Sequence, residues 1–170
     1  MATFVLVHGG WGGGWEWRPV ADRLTAAGHV AYRPTLTGLG VSPSAFVDRI
    51  RALADTAGDG WLVPLPFDDL GVPPDVADWY GSHVGPHPLA SLDQPLRLTG
   101  AVDLVPRSFI GCALAGSETT WFFRDFFDRA RAEDWDRHDL PVGHDAHVIV
   151  PDRLATLLIR IASIEPAVAG

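Results

Sequence analysis

The 170-residue chain has little cysteine, little basic charge and no long apolar run. Its one cysteine, Cys112, excludes an intramolecular disulfide. That residue lies in the apolar run from Ile110 to Ala113, which predicts a small core residue rather than a nucleophile. Thirteen basic residues against 21 acidic ones give a net charge of −8. Because nucleic acids and anionic membranes bind basic surfaces, neither is expected as a partner.

Membrane spans and leader segments are also missing from the sequence pattern. No stretch reaches the roughly 20 apolar residues that a transmembrane helix needs. Met1 to Val7 carries no basic region typical of a signal peptide, so we expect a cytoplasmic protein. With 47% hydrophobic and 20% charged residues, residues 1–170 are expected to form a single globular domain.

A glycine-rich turn near the amino end is the strongest local signal. Thr3 to Val7 predicts a strand buried on both faces of a parallel sheet. The following residues His8, Gly9, Gly10 and Trp11 would let backbone N–H groups approach a ligand and stabilise an oxyanion. The spacing does not fit the dinucleotide fingerprint, and no acidic residue ends the second strand. A glycine turn without a bound anion is the alternative that this motif leaves open.

The rest of the amino-terminal third predicts a βαβ unit. Arg18 to Ala27 is predicted as a helix, with Pro19 in its first turn and Gly28 after its end. His29 to Pro34 is then a short second strand, parallel to the first.

The middle of the chain changes character. Ser44 to Ala57 is predicted as a helix with one apolar face. Residues 61–96 contain seven prolines, which exclude long regular elements, and several aromatic residues, which argue against disorder. We expect a folded lid of short helices over a pocket, and the alternative is an irregular surface excursion.

The carboxyl-terminal part again alternates strands and helices. Strands are predicted at Arg107 to Leu114 and Asp136 to Leu140, and helices at Thr119 to Ala132 and Pro151 to Ser163. The predicted class is therefore α/β, with a mostly parallel sheet and helices on both faces.

Two segments of the chain resemble a known family. The amino end, FVLVHGGWGGGWEWRPVADRLTAAGHVAYRPTLTGLG, and the Gly143-His144-Asp145-Ala146 loop resemble the α/β-hydrolases related to plant methylesterases and hydroxynitrile lyases. Many esterase-like and polyketide-tailoring proteins of actinobacteria share this amino-terminal pattern. The resemblance implies that the glycine turn is an oxyanion loop and that His144 is the catalytic base.

The nucleophile of that family is missing. No G-x-S-x-G occurs anywhere in the chain, and Gly40 passes almost directly into residues that resemble the start of the family's lid. The resemblance thus implies an abridged α/β-hydrolase fold that lacks the nucleophile elbow and its central strand. We expect the strand at Arg107 to Leu114 to fill the vacated place, in the same chain or from a partner.

Three residues are candidates for the missing catalytic roles. Ser117 follows a predicted strand and precedes a predicted helix, although a helix N-cap explains it equally well. Ser82 lies in the proline-rich segment, where the strand–turn–helix context of an elbow is absent. Glu118 is placed either as the acid partner of His144 or as a first-turn helix carboxylate.

Aromatic residues predict an apolar ligand pocket. Trp79 and Trp121, with tryptophans of the amino end, are candidates to line it beside the glycine turn. No cofactor is expected. A metal site from His144, Asp145 and His147 with His83 or His87 matches no metal-binding spacing and is not favoured.

These features leave three functional hypotheses. The first is an enzyme that acts on a small apolar ester, lactone or polyketide-like molecule without a serine nucleophile, with His144 as acid/base in a lyase, cyclase or isomerase reaction. The second is a non-catalytic binding or assembly protein, for which we expect a homodimer formed across the gap or by strand exchange. The third is an esterase with a relocated nucleophile. Ordinary serine-esterase activity is expected to be absent or very weak.

Overall fold

Short strands and helices follow one another in a computed structural model that describes residues 1–35, 71–93, 105–112 and 124–164, together with 52, 55, 62–63 and 100. The elements, in chain order, are β1 (Thr3–Val5), α1 (Arg18–Ala26), β2 (Val30–Tyr32), β3 (Leu62–Val63), α2 (Pro74–Gly81), β4 (His87–Pro88), α3 (Leu89–Asp93), β5 (Ser108–Cys112), α4 (Arg124–Ala132), β6 (Asp136–Leu140), α5 (Ala146–Ile149) and α6 (Pro151–Ala162).

The amino-terminal βαβ unit is confirmed. β1 and β2 pair in parallel, with Phe4 opposite Ala31. The helix between them has Pro19 in its first turn, where no backbone N–H is needed. It ends before Gly28, whose φ of +83° most other residues would adopt only with strain.

A second parallel pair forms near the carboxyl end. β5 pairs with β6 over five residues, with Gly111 opposite Asp139, and α4 connects the two strands. A Cβ at Gly111 would lie 2.8 Å from the ring of Phe127. The glycine therefore allows α4 to pack its aromatic side chain directly on the strand.

The main core lies between α1, α6 and one face of β1. Val20 and Leu24 are completely buried on the inner face of α1. Their neighbours in this core are Leu6, Ala21, Leu140, Val142, Ala146, Leu154 and Ala155. Arg23 and Asp152 form a salt bridge that links the same two helices at the surface.

For the described residues, one prediction about the sheet is wrong and another is not met within a single chain. Val5 is 62% exposed and Val7 45% exposed, so β1 is buried on one face rather than on both. In the described part of the chain, β1 pairs with β2 and β5 pairs with β6, and no ladder joins the two sheets. β5 therefore does not fill the place beside β1 within this chain.

Short elements occupy the described part of the proline-rich segment. α2 and α3 are helices of eight and five residues, and β3 pairs antiparallel with β4. The predicted helix at Ser44 to Ala57 lies outside the described residues except for positions 52 and 55. Among the helices that the structure describes, none is long and apolar enough to cross a membrane.

Candidate functional site

The glycine turn is held by the segment that contains β4. Trp11 has a φ of +66°, which is uncommon for a residue with a side chain. Its backbone N–H donates to Nδ1 of His87 at 3.1 Å, and its carbonyl accepts from the N–H of Gly85 at 3.4 Å. Within the turn, the N–H of Gly12 donates to the carbonyl of Gly10 at 2.8 Å. The turn and the segment around β4 therefore form one hydrogen-bonded unit.

His87 also contacts Ser91, a serine that the sequence did not single out. Nε2 of His87 lies 2.6 Å from Oγ of Ser91. Because Nδ1 accepts a backbone N–H, the proton of the neutral ring lies on Nε2, which donates to the serine. Ser91 in turn donates to the carbonyl of Pro88 at 2.7 Å. A ring with this tautomer cannot take the proton of Ser91, so the pair is not a nucleophile and base.

Partial burial of His87 favours its neutral form. Its pKa is lowered, first by burial and then by the proximity of His8. His8 itself is buried and donates from Nδ1 to the carbonyl of Gly9 at 2.7 Å. Both histidines therefore act as hydrogen-bonded parts of the turn.

Aromatic side chains of α2 and of His83 pack against Trp15 in the segment after the turn. The ring of Trp15 lies 5.7 Å from Trp79, 5.8 Å from Tyr80 and 5.2 Å from His83. Trp79 is 45% exposed, so it covers Trp15 and also faces solvent. These contacts place α2 beside the segment that follows the turn.

His144 lies on the wall of an apolar cavity at the carboxyl end of β5. The cavity has a volume of about 320 Å³. It is lined by Phe109, Ile110, Cys112, Phe126, Phe127 and His144. An imidazole and a thiol among aromatic and aliphatic side chains fit the usual composition of a small-molecule pocket, which is mostly apolar with a few polar groups.

The environment of His144 favours the neutral imidazole. Its pKa is lowered to about 4, first by desolvation and second by the nearby His147. The residue as a whole is exposed, and solvent that reaches the imidazole would work against this shift. At neutral pH the side chain is a proton acceptor.

Cys112 lines the same cavity and is half-buried. Burial, and secondly the charge of Asp145, raise the pKa of its thiol to about 11. Because the thiolate is the nucleophilic form, this cysteine is inert at neutral pH. The prediction that it is not a nucleophile agrees with this environment.

A buried cluster of charged residues lies beneath the turn, and the sequence analysis missed it. Glu16 and Asp145 are 2% and 6% exposed. Oε1 of Glu16 lies 3.6 Å from Nε2 of His147. Tyr80 donates to the carboxyl group of Asp145, whose pKa is raised to about 6, mainly by desolvation. The only signal in the sequence was a single acidic residue within the run Trp15-Glu16-Trp17.

The other predicted site residues are distributed as follows. Ser82 follows α2, and its Oγ donates to the carbonyl of Trp79 at 2.7 Å, so it is not on a strand-to-helix elbow. Ser117, Glu118 and Trp121 lie outside the described residues. Within the described ranges, no group of three or more His, Cys, Asp or Glu side chains is arranged to hold a metal ion.

Comparison with curated proteins finds one partial relative. A carbendazim-hydrolyzing esterase from a Nocardioides species is 58% identical over 40 residues. This match covers 24% of the chain and only 16% of the esterase. No family model matches the chain.

Solved structures show the fold. An extracellular α/β-hydrolase from a Paenibacillus species, described as similar to tobacco Salicylic Acid Binding Protein 2, aligns with a TM-score of 0.73 and 16% identity, over 94% of this chain and 98% of that one. A methylesterase from Arabidopsis aligns with a TM-score of 0.61 and 16% identity, over 96% of this chain and 99% of the methylesterase. Tomato methylketone synthase I aligns with a TM-score of 0.66 and 13% identity, over 95% of this chain and 97% of the synthase. The chain has the α/β-hydrolase fold.

Proposed function

We propose that this α/β-hydrolase-fold chain acts on a small apolar ester, lactone or polyketide-like molecule, with His144 as acid/base and without a serine nucleophile. The observation that carries the proposal is the cavity of about 320 Å³ that places His144 against three phenylalanines. Esterase and synthase names among its neighbours support small-molecule chemistry on this fold.

The reaction is a proton transfer within the substrate. Neutral His144 removes a proton from a C–H or O–H group that the apolar cavity holds against its ring. The imidazolium then returns that proton to a leaving group or to a second position of the same molecule. This sequence balances without a covalent enzyme intermediate, and it describes a lyase, a cyclase or an isomerase.

None of the residues His8 to Trp11 lines the cavity of His144, and we infer the glycine turn as a second part of the site only from its backbone N–H groups. Negative charge that develops on a substrate oxygen would be stabilised by backbone N–H groups of Gly9, Gly10 or Trp11. The N–H of Trp11 donates to His87 at present. A substrate oxygen that uses this donor must displace the histidine, so the proposed lid takes part in substrate entry.

The test is a turnover assay on a panel of small activated esters, lactones and β-keto compounds. His144→Ala is compared with His29→Ala, at a histidine that accepts from the N–H of Ala2 and does not line the cavity. Turnover lost in His144→Ala alone supports the proposal. Stoichiometric labelling by a fluorophosphonate, abolished by Ser117→Ala or Ser82→Ala, contradicts it and indicates an esterase with a relocated nucleophile.

A second candidate function, assembly as a homodimer, is favoured by a different observation. Val5, Val7 and Tyr32 expose 62%, 45% and 59% of their surfaces on one face of the β1–β2 pair. A second copy of the chain would cover this uncharged face, by packing or by strand exchange. Size-exclusion chromatography with light scattering measures whether the chain is a dimer. Val5→Lys should give a monomer. Val105→Lys, at a similarly exposed valine outside this face, should leave the dimer intact.

A further inference from the structure

Three phenylalanine rings, those of Phe109, Phe126 and Phe127, line the cavity that also holds His144. Phe109 and Phe127 meet edge to face, with ring centroids 4.9 Å apart and planes at 71°. This geometry is favoured because the positive rim of one ring contacts the negative face of the other. A flat aromatic ligand would extend the same packing, whereas a saturated ligand of equal size would only fill the space.

The position of Phe127 depends on a glycine. Gly111 comes two residues after Phe109 and therefore lies on the same face of β5. A Cβ on Gly111 would lie 2.8 Å from Cε1 and 3.2 Å from Cζ of Phe127, and 3.3 Å from Oδ1 of Asp139. No side chain fits between β5 and this ring unless the ring moves. Since Phe127 lines the cavity, the bare backbone at Gly111 fixes the place of one of its walls.

The volume of the cavity limits the size of its ligand. An apolar cavity of about 150 Å³ in a protein core binds benzene. The cavity beside His144 has about 320 Å³, which is roughly twice that volume and has room for two fused rings. Pockets for small molecules span about 300–1,000 Å³, so this one is at the small end of the range.

The described lining has no partner for a charged ligand. It contains no Lys, Arg, Asp or Glu side chain, and its polar groups are the imidazole of His144 and the thiol of Cys112. Asp145 lies close enough to Cys112 for its carboxyl group to act on the thiol, so an anion would face a like charge. An ion that leaves water without a partner is strongly disfavoured. A neutral ligand with one hydroxyl or carbonyl group can instead form a hydrogen bond with the imidazole or the thiol.

We propose that this cavity binds a neutral aromatic molecule of about two fused rings, and that Gly111 determines this specificity by letting Phe127 pack against β5. The inference deepens the proposed function, because it names the class of substrate for the same cavity. It rests on that function for its link to turnover, whereas binding itself requires no reaction. Gly111 contacts no ligand in this assignment and acts through Phe127.

The test is equilibrium dialysis of the full chain against four probes with the same two-ring skeleton. They are naphthol, its saturated form decahydronaphthol, the anion naphthoate and the cation naphthyltrimethylammonium. Naphthol should bind at least about fivefold more tightly than the saturated alcohol, which cannot form edge-to-face contacts. It should also bind more tightly than either ion. Bound naphthol should slow the alkylation of Cys112 by iodoacetamide, because that thiol lines the cavity.

Two variants connect binding to the aromatic wall. Gly111→Ala should weaken naphthol binding about fivefold, because the added methyl group displaces Phe127 from its contact with Phe109. Phe109→Leu should cause a similar loss for naphthol and little change for the saturated alcohol. As controls, Gly85→Ala adds a methyl group where no described atom lies within 4 Å, and Phe4→Leu removes a ring that does not line the cavity. Both controls should bind naphthol as the parent chain does.

The outcomes separate this inference from the proposed function. Equal binding of naphthol and the saturated alcohol, or tighter binding of either ion, would overturn the inference. Unchanged naphthol binding in both Gly111→Ala and Phe109→Leu would also overturn it. If Gly111→Ala does not fold, Phe109→Leu decides whether the aromatic wall selects the ligand. Selective naphthol binding by a chain without turnover would refute the proposed function alone, and turnover without any preference for naphthol would refute this inference alone.

Discussion

The backbone N–H of Trp11 donates a 3.1 Å hydrogen bond to Nδ1 of His87. The donor belongs to the turn that the resemblance implies as an oxyanion loop, and the acceptor belongs to the proline-rich segment. A side chain of the proposed lid thus occupies a donor that a reacting oxygen would need. In the proposed function, a substrate oxygen that binds this N–H must displace His87 from it.

We expect this contact to weaken as the pH falls. The pKa of His87 is lowered in the folded chain, first by burial and then by His8. The contact therefore contributes its full stability above the ordinary pKa of 6.5 and loses it as the pH falls through the lowered value. Protonation removes the Nδ1 lone pair that accepts from Trp11. Amide exchange measured as protection factors should show lower protection at Trp11 at acidic pH.

Variants of His87 isolate the same bond. His87→Leu cannot accept from the Trp11 N–H, so protection there should fall about fivefold, the equivalent of ~1 kcal/mol for one hydrogen bond. His87→Asn retains an acceptor oxygen and should keep part of the protection of the Trp11 amide. His83→Leu, in the same segment, should leave Trp11 unchanged. Equal protection in His87→Leu and the parent chain would contradict the assignment.

Asp145 should make the protein less stable as the pH rises. Its pKa is raised from 3.8 to about 6, mainly by desolvation. A group with a raised folded pKa contributes stability below its unfolded pKa and loses it as the pH rises through the folded value. The loss between pH 4 and 6 should be about 3 kcal/mol at most. Urea unfolding from pH 4 to 8 should show this dependence in the parent chain and not in Asp145→Asn.

Cys112 should report on the cavity beside His144. With a pKa of about 11 against an ordinary value of 9, its thiolate fraction at pH 8 is about 100-fold smaller than in the unfolded chain. Alkylation of Cys112 by iodoacetamide, followed by intact mass, should therefore be slower by at least that factor in the folded chain than in the chain unfolded in urea. An apolar ligand that fills the cavity should slow it further. Rapid alkylation of the folded chain would place Cys112 outside the cavity wall.

The core between α1 and α6 should depend strongly on Leu24. This side chain is completely buried, so Leu24→Ala should lower the free energy of unfolding by about 2–5 kcal/mol. Val105→Ala, at a valine that is 58% exposed, should change it by less than about 0.5 kcal/mol. Denaturant titration of both variants measures the difference. Similar changes in the free energy of unfolding for Leu24→Ala and Val105→Ala would show that α1 does not pack as described.

Local pattern was enough to predict most of the elements. The predicted strand at Asp136 to Leu140 and the helices that begin at Arg18 and Pro151 agree with the structure. Proline, glycine and apolar periodicity act within a few residues, so their effects can be recognised without the rest of the fold. His144 became a candidate in the same way, because its loop carries a motif that resembles a known family.

Contacts between distant segments could not be predicted. Glu16 and His147 are 131 positions apart, and each is unremarkable by itself, so only packing reveals that they are neighbours. The cavity is similar: Phe109, Phe126 and Phe127 come together with His144 because β5, α4 and the loop after β6 pack against one another.

The sequence by itself determined the α/β class, the order of the predicted strands and helices, the absence of a G-x-S-x-G motif and the choice of His144 as a candidate, because each depends on adjacent residues or on a motif. Only the tertiary structure decided that β1 has an exposed face, that His87 occupies the amide of Trp11 and that a buried carboxylate faces His147. Burial and hydrogen-bond partners depend on which segments meet in space, and pKa values follow from those neighbours.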